Sequence, residues 1–207
     1  VKIREKSEDI RKKILDGAKQ LFQIYGYRAV TIDEIAVSLK MSKRTIYQQF
    51  DTKDELIMAV ADSFIDQALQ QTNVILAANL SFGESFVAFI NAVQTIVQQI
   101  SPPMLRDMQH MPEVWTRISA RRQEVLQRYG AIMARGQRDG DLRQDIDIPF
   151  ILSLLLHLVT AFATPQVMLE HNITPRDMIT RIQSVLLCGI LSDTGRQKLK
   201  GDRHETV

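Results

Sequence analysis

Cysteine is all but missing: Cys188 stands alone among 207 residues. One cysteine excludes an intrachain disulfide framework and any zinc site built on paired cysteines. It also fits a reducing, cytoplasmic setting. In the run Ser184-Val185-Leu186-Leu187-Cys188-Gly189-Ile190-Leu191 it reads as a buried helical thiol. Strand signals are nearly absent too, with no Asn-Gly or Asp-Gly hairpin turn between apolar runs. Catalytic signatures are wanting: there is no His-Glu-x-x-His, no Gly-x-Ser-x-Gly and no phosphate-binding loop. A di-iron bundle needs Glu-x-x-His pairs, and the chain offers only Asp107-x-x-His110. No catalytic residue, metal or cofactor is therefore expected. The N-terminus has no apolar leader core. The most apolar run, Phe150 to Thr164, lies between Pro149 and Pro165 with His157 at its middle. It falls short of the roughly 20 residues that span a bilayer, so no membrane partner is expected.

What is present is helix signal throughout. Ile10, Ile14, Ala18, Leu21, Phe22 and Tyr25 recur at helical spacing, and Gly26 follows as a stop. Three capping boxes, Thr31-x-x-Glu34, Thr52-x-x-Glu55 and Ser81-x-x-Glu84, mark later helix starts. The pattern predicts an all-α fold with helices at about 32–39, 43–50, 53–77, 83–100, 103–110, 113–138, 148–170 and 175–192. Pro165 is expected to kink or interrupt the next-to-last of these, and 195–207 reads as a polar tail. Net charge is +2; residues 1–60 hold 12 Lys and Arg against 9 Asp and Glu, so that segment carries +3 and the remainder −1. The positive excess sits at the N-terminal end, as a phosphate-binding module requires.

The informative stretch is Thr31 to Leu56. A capped helix is followed by a tight turn, Leu39-Lys40-Met41, and Ser42 is placed to cap a second short helix. This is helix-turn-helix spacing, in which the second helix enters the major groove. At about 100° per residue, Ile46 and Phe50 share one side of that helix, with Arg44 and Gln48 opposite. Arg bonds guanine edges, Gln bonds adenine, and Thr45 can touch a thymine methyl or a phosphate. Lys43, Tyr47 and the amides behind Ser42 suit phosphates. The plainer alternatives are surface charge for Arg44, a packing aromatic for Tyr47 and a solvated lysine for Lys53. Lys2, Arg4, Lys6, Arg11, Lys12 and Lys13 form either a basic arm or a solvated face, since Glu5, Glu8, Asp9 and Asp16 interleave.

Over about residues 8–60 the sequence resembles the TetR family of bacterial transcriptional regulators. Tyr47-x-x-Phe50-x-x-Lys53-x-x-Leu56 carries the resemblance, extended by Ile35-Ala36, Ser42-Lys43-x-Thr45-x-Tyr47, Leu21-Phe22 and Tyr25-Gly26-Tyr27. Gly140-Asp141-Leu142-Arg143 is a weaker echo. The chain departs from the family with Lys40 where Gly is common in the turn, and with Arg44 where a small residue is common. The resemblance implies a DNA-binding domain at 1–52 and an effector-binding and dimerisation domain at 53–207. It also implies that Lys53 and Thr31 grip phosphates, each from a helix start.

Two related reading heads are needed for a long specific site. Leu155, Leu158, Val159 and Phe162, with Ile182, Leu186 and Ile190, lie on helices too apolar to stand alone. The resemblance implies that they form a homodimer seam; the alternative is one subunit's own core. Phe86, Phe89, Met104, Met108 and Trp115 suit an apolar or amphipathic small-molecule effector or simply fill a core. His157, Arg106 or His110 would meet its polar group. The implied protein is a repressor of a palindromic double-stranded DNA operator. It is released when the effector tilts the helix from Lys53 and spoils a half-site spacing of roughly 34–36 Å. The other reading is a DNA-bound scaffold or adaptor without an effector.

Overall fold

The computed structural model describes residues 2–78, 80–108, 110–162, 167 and 170–202. Its helices are α1 (Lys2–Tyr25), α2 (Ile32–Leu39), α3 (Lys43–Tyr47), α4 (Lys53–Ala77), α5 (Phe82–Val97), α6 (Pro102–Met108), α7 (Pro112–Arg138), α8 (Ile148–Phe162), α9 (Pro175–Ile190) and α10 (Asp193–Asp202). Among the described residues the only β pairing is an isolated bridge, Leu142 to Leu191. The kink expected at Pro165 lies outside the described residues. Among those described, no helix is long and apolar enough to cross a membrane.

Contacts divide the chain into two compact units, Val1–Ile65 with Gln99–Ile118, and Asp66–Gln98 with Ser119–Val207. The first unit thus extends past the 1–52 segment that its motif sets off. The reason is packing: Leu56, Ile57 and Val60 of α4 and Met104 of α6 are buried with Ile14, Ala18, Phe22, Ile35, Ile46 and Phe50. Gly26, in the left-handed region at φ 86°, ends α1 and donates to the Phe22 carbonyl at 2.8 Å. Tyr25 is exposed, and Tyr27 takes the core place instead, edge-on to Phe22 with centroids 5.1 Å apart.

In the second unit an aromatic cluster forms the centre. Phe89 stacks on Tyr129 at 4.2 Å, with Phe86 and Phe82 beyond. Gly136 makes room for it, because a Cβ there would lie 2.4 Å from the Phe82 ring. Arg121 of α7 pairs with Asp66 of α4 at 2.7 Å, and Arg128 donates to Asn73. α9 packs on α5 and α8, and Gln94 donates to Thr180 at 3.0 Å.

Two expectations need correction. Residues 193–202 form a helix rather than a loose tail, because Ser192 caps it and Lys198 pairs with buried Asp141 at 2.6 Å. Cys188 is exposed on the chain, not buried: α9 turns Met178 and Ile179 into the unit and leaves Val185 and Cys188 outside.

Candidate nucleic-acid interface

Local chemistry sets the ends of α2 and α3. Thr31 accepts from the Glu34 amide, while the Glu34 carboxylate takes the Thr31 amide at 2.7 Å and its hydroxyl at 2.9 Å. These bonds hold the Glu34 carboxyl below its ordinary range, the backbone bond most of all. α2 closes on Lys40 at φ 53°, so the turn that often carries glycine adopts the glycine-like conformation with a lysine. Ser42 then caps α3, accepting from the Thr45 amide at 3.1 Å, with the two hydroxyls 2.9 Å apart.

α3 is shorter than predicted, ending at Tyr47, with Gln48 and Gln49 in a closing turn. Its two faces are cleanly divided. Ile46 and Phe50 are fully buried, whereas Lys43, Arg44, Tyr47 and Gln48 are exposed and Thr45 is half-buried. Lys43 pairs across the turn with Asp33 at 2.5 Å. Lys53 is half-buried at the start of α4 and donates to the Arg28 carbonyl at 3.3 Å. Burial lowers its pKa, while Asp54, Asp107 and Glu34 pull the other way. An ammonium has three donors, so this bond leaves others for a phosphate. Thr31 is exposed, but its hydroxyl is spent on Glu34.

Side chains that sequence reasoning assigned otherwise hold this face in place. Arg11 of α1 stacks on the Phe50 ring at 3.9 Å, donates to the Gln49 carbonyl and pairs with Glu55 at 3.5 Å. It therefore ties down the end of α3 instead of extending as a free arm. Glu55 completes its own cap differently from the box expected: Thr52 accepts from the Glu55 amide, but the carboxylate takes the Asp51 amide at 2.7 Å. Asp107 of α6 accepts from the Arg28 amide at 2.8 Å. The partners of Arg11 and Asp107 lie 38 to 79 positions away in the chain, beyond any local pattern.

A charged, capped short helix with one buried and one exposed polar face is the geometry of a reading head. The family model described as bacterial regulatory proteins, tetR family, matches residues 14–60. The HTH-type transcriptional repressor KstR2 of Rhodococcus jostii is 23% identical over 150 residues, 70% of this chain and 74% of that one. The HTH-type transcriptional regulator YdeS of Bacillus subtilis is 28% identical over 158 residues, 73% and 77% of the two chains. The crystal structure of a TetR/AcrR-family regulator from Thermobifida fusca matches with a TM-score of 0.63 and 25% identity, covering 86% of this chain and 97% of that one.

Over residues 14–60 the chain carries a tetR-family DNA-binding segment, and it is similar to TetR-type regulators over most of its length. Those relatives are named as transcriptional regulators. The other predicted residues are distributed over both units. Met104 and Met108 are buried and Trp115 half-buried in the first unit; Phe86 and Phe89 are buried in the second. His157 is exposed on α8, with Nδ1 2.7 Å from the Ser153 carbonyl. Leu155, Leu158, Val159, Ile182 and Leu186 are half-buried and Phe162 is exposed. Ile190 is buried in the chain itself and has little surface to offer a partner.

Proposed function

We propose that the chain is a ligand-responsive repressor that binds a palindromic operator as a homodimer. It leaves that operator when a small apolar or amphipathic effector occupies its C-terminal part. The observation that carries the DNA half is the division of α3, with Ile46 and Phe50 inside and Lys43, Arg44, Tyr47 and Gln48 outside. In this reading Arg44 and Gln48 address base edges and Thr45 a methyl or phosphate. Ser42, Lys43, Tyr47, Lys53 and the α2 start at Thr31 address phosphates.

The homodimer reading rests on α8. It is the most apolar of the described helices, yet none of its residues is buried, and Phe150 is 63% exposed. A helix of that composition is covered in its working state, and a second copy of the same helix pair supplies the cover. Two groups of effector contacts are proposed, each within its own unit: Met104, Met108 and Trp115 in the first, and Phe86, Phe89 and His157 in the second. The repressor sign follows the name of the R. jostii relative.

The test is selection of a duplex from a random-sequence pool by the full-length chain. Enrichment of an inverted repeat with half-site centres about one helical turn apart is expected. Enrichment of a single asymmetric site, or none, overturns the dimeric repressor. Screening a panel of apolar small molecules for release of the selected duplex tests the effector, and no release by any class counts against that half.

A further inference from the structure

One residue of the α1–α2 turn, Arg28, is held through both of its backbone polar groups. The Arg28 amide donates to Asp107 Oδ2 at 2.8 Å, and the Arg28 carbonyl accepts from Lys53 Nζ at 3.3 Å. Asp107 belongs to α6, and Lys53 opens α4. The fit of α6 against the turn is close. Gly26 is in the left-handed region, and a Cβ there would lie 2.5 Å from Asp107 Oδ2 and 3.3 Å from Pro103 Cβ. Gln23 of α1 also donates to the Gln99 carbonyl at 3.0 Å, just ahead of α6. The carboxylate is felt beyond its hydrogen bond: it helps raise the Tyr27 phenol and opposes the lowering of Lys53. All of these residues lie in the first unit.

We propose that Asp107 is a positioning residue for DNA binding: by holding the Arg28 amide it fixes the backbone of the residue whose carbonyl aims the Lys53 ammonium at a phosphate. The inference rests on the phosphate role given to Lys53 above. It assigns to α6 a direct say in DNA affinity. Met104 and Met108, proposed effector contacts, flank Asp107 on the same short helix, so an effector that shifts α6 slackens the hold on the Arg28 backbone and misdirects Lys53.

Electrostatics alone predicts the opposite sign. Removing a carboxylate near a polyanion's site tightens binding, whereas losing a positioning contact loosens it. Asp107→Asn keeps an oxygen that can accept from the Arg28 amide; Asp107→Ala does not. Binding of the full-length chain to the duplex it selects from a random pool is measured against salt. Asp107→Ala is expected to weaken binding about tenfold and, like Lys53→Ala, to flatten the slope of log affinity against log salt by about 0.9, one phosphate's worth. Asp107→Asn is expected to stay within about threefold of the parent, and the Ala/Ala double variant to match Lys53→Ala alone. If Asp107→Ala fails to fold, Asp107→Leu, of similar shape and unable to accept, takes its place. Tightening in both Asp107 variants, or additive losses in the double variant, overturns the role of Asp107 alone. An unchanged salt slope in Lys53→Ala overturns the phosphate role of Lys53 and this proposal with it.

Discussion

α3 and α8 obey one rule with opposite outcomes. In α3 and the turn that closes it the apolar residues Ile46 and Phe50 find cover within the chain, and the polar ones are left outside. In α8 leucine, isoleucine, valine and phenylalanine fill the sequence, and not one is buried. A helix whose exposed face is polar is finished by folding and is free to meet a polar ligand. A helix whose exposed face is apolar is left unfinished, because apolar surface in water is unfavourable by about 25 cal/mol per Å². The contrast separates what the chain does alone from what the proposed homodimer would add.

The largest effect is expected where α3 is most self-sufficient. Phe50→Ala removes a fully buried ring and the platform for Arg11. A loss of about 3–5 kcal/mol of stability is expected, read as a lower urea midpoint at unchanged oligomeric state. If the midpoint moved little, the head would not be held by its own core. Leu158→Arg tests the other side of the comparison. The residue is half-buried in the chain, so protomer stability should barely change, but a charge placed in the apolar seam should weaken self-association by at least about 100-fold. Sedimentation at several concentrations reads this. An unchanged dimer, or a chain that unfolds instead, would place α8 outside the seam.

The sequence was most informative where structure is local. Thr31, Ser42 and Ser81 each cap the helix start predicted for them, since cap and amide are three positions apart. The two faces of α3 follow from spacing alone. Less legible was anything made by distant segments meeting. Arg11 on Phe50, and Asp107 on the Arg28 amide, join positions that no periodicity relates. The 193–202 helix lacks an apolar stripe and is held by polar contacts, among them the Lys198–Asp141 pair and a serine cap, so its composition reads as a tail. Exposure of Cys188 was hidden because an apolar neighbourhood in sequence does not say whether its cover comes from the same chain.

Smaller effects sharpen the account of α3. Arg44→Ala and Gln48→Ala should each erase about 1–3 kcal/mol of discrimination at one base pair, with the salt slope nearly unchanged. Binding to single-base variants of the selected duplex reads this. Uniform weakening across all variants would demote them to phosphate contacts. Lys40 occupies the left-handed region at φ 53°, which costs a residue with a Cβ roughly 1–2 kcal/mol. Glycine avoids that cost but gains freedom in the unfolded chain, so Lys40→Gly should stabilise the head by at most about 1 kcal/mol in thermal melts.

The smallest effect is shared by both units and depends on pH. Glu34 and Glu84 cap α2 and α5 with carboxyls held below their ordinary value of 4.5 by hydrogen bonds from Thr31 and Ser81. Asp177 does the same for α9 below 3.8, through Thr174. A carboxyl whose folded value is depressed binds fewer protons in the native than in the unfolded state. Stability from these caps is therefore complete above the ordinary values and is lost as pH falls through the depressed ones. Urea midpoints should decline across that acid range, and Glu34→Gln with Glu84→Gln should shallow the decline. Because both carboxylates are fully exposed, the shallowing should be slight. It should also be equal whether the protein is wild type or carries Leu158→Arg, since caps close within one chain and the seam does not. Unequal shallowing would mean that association, not capping, governs the acid response.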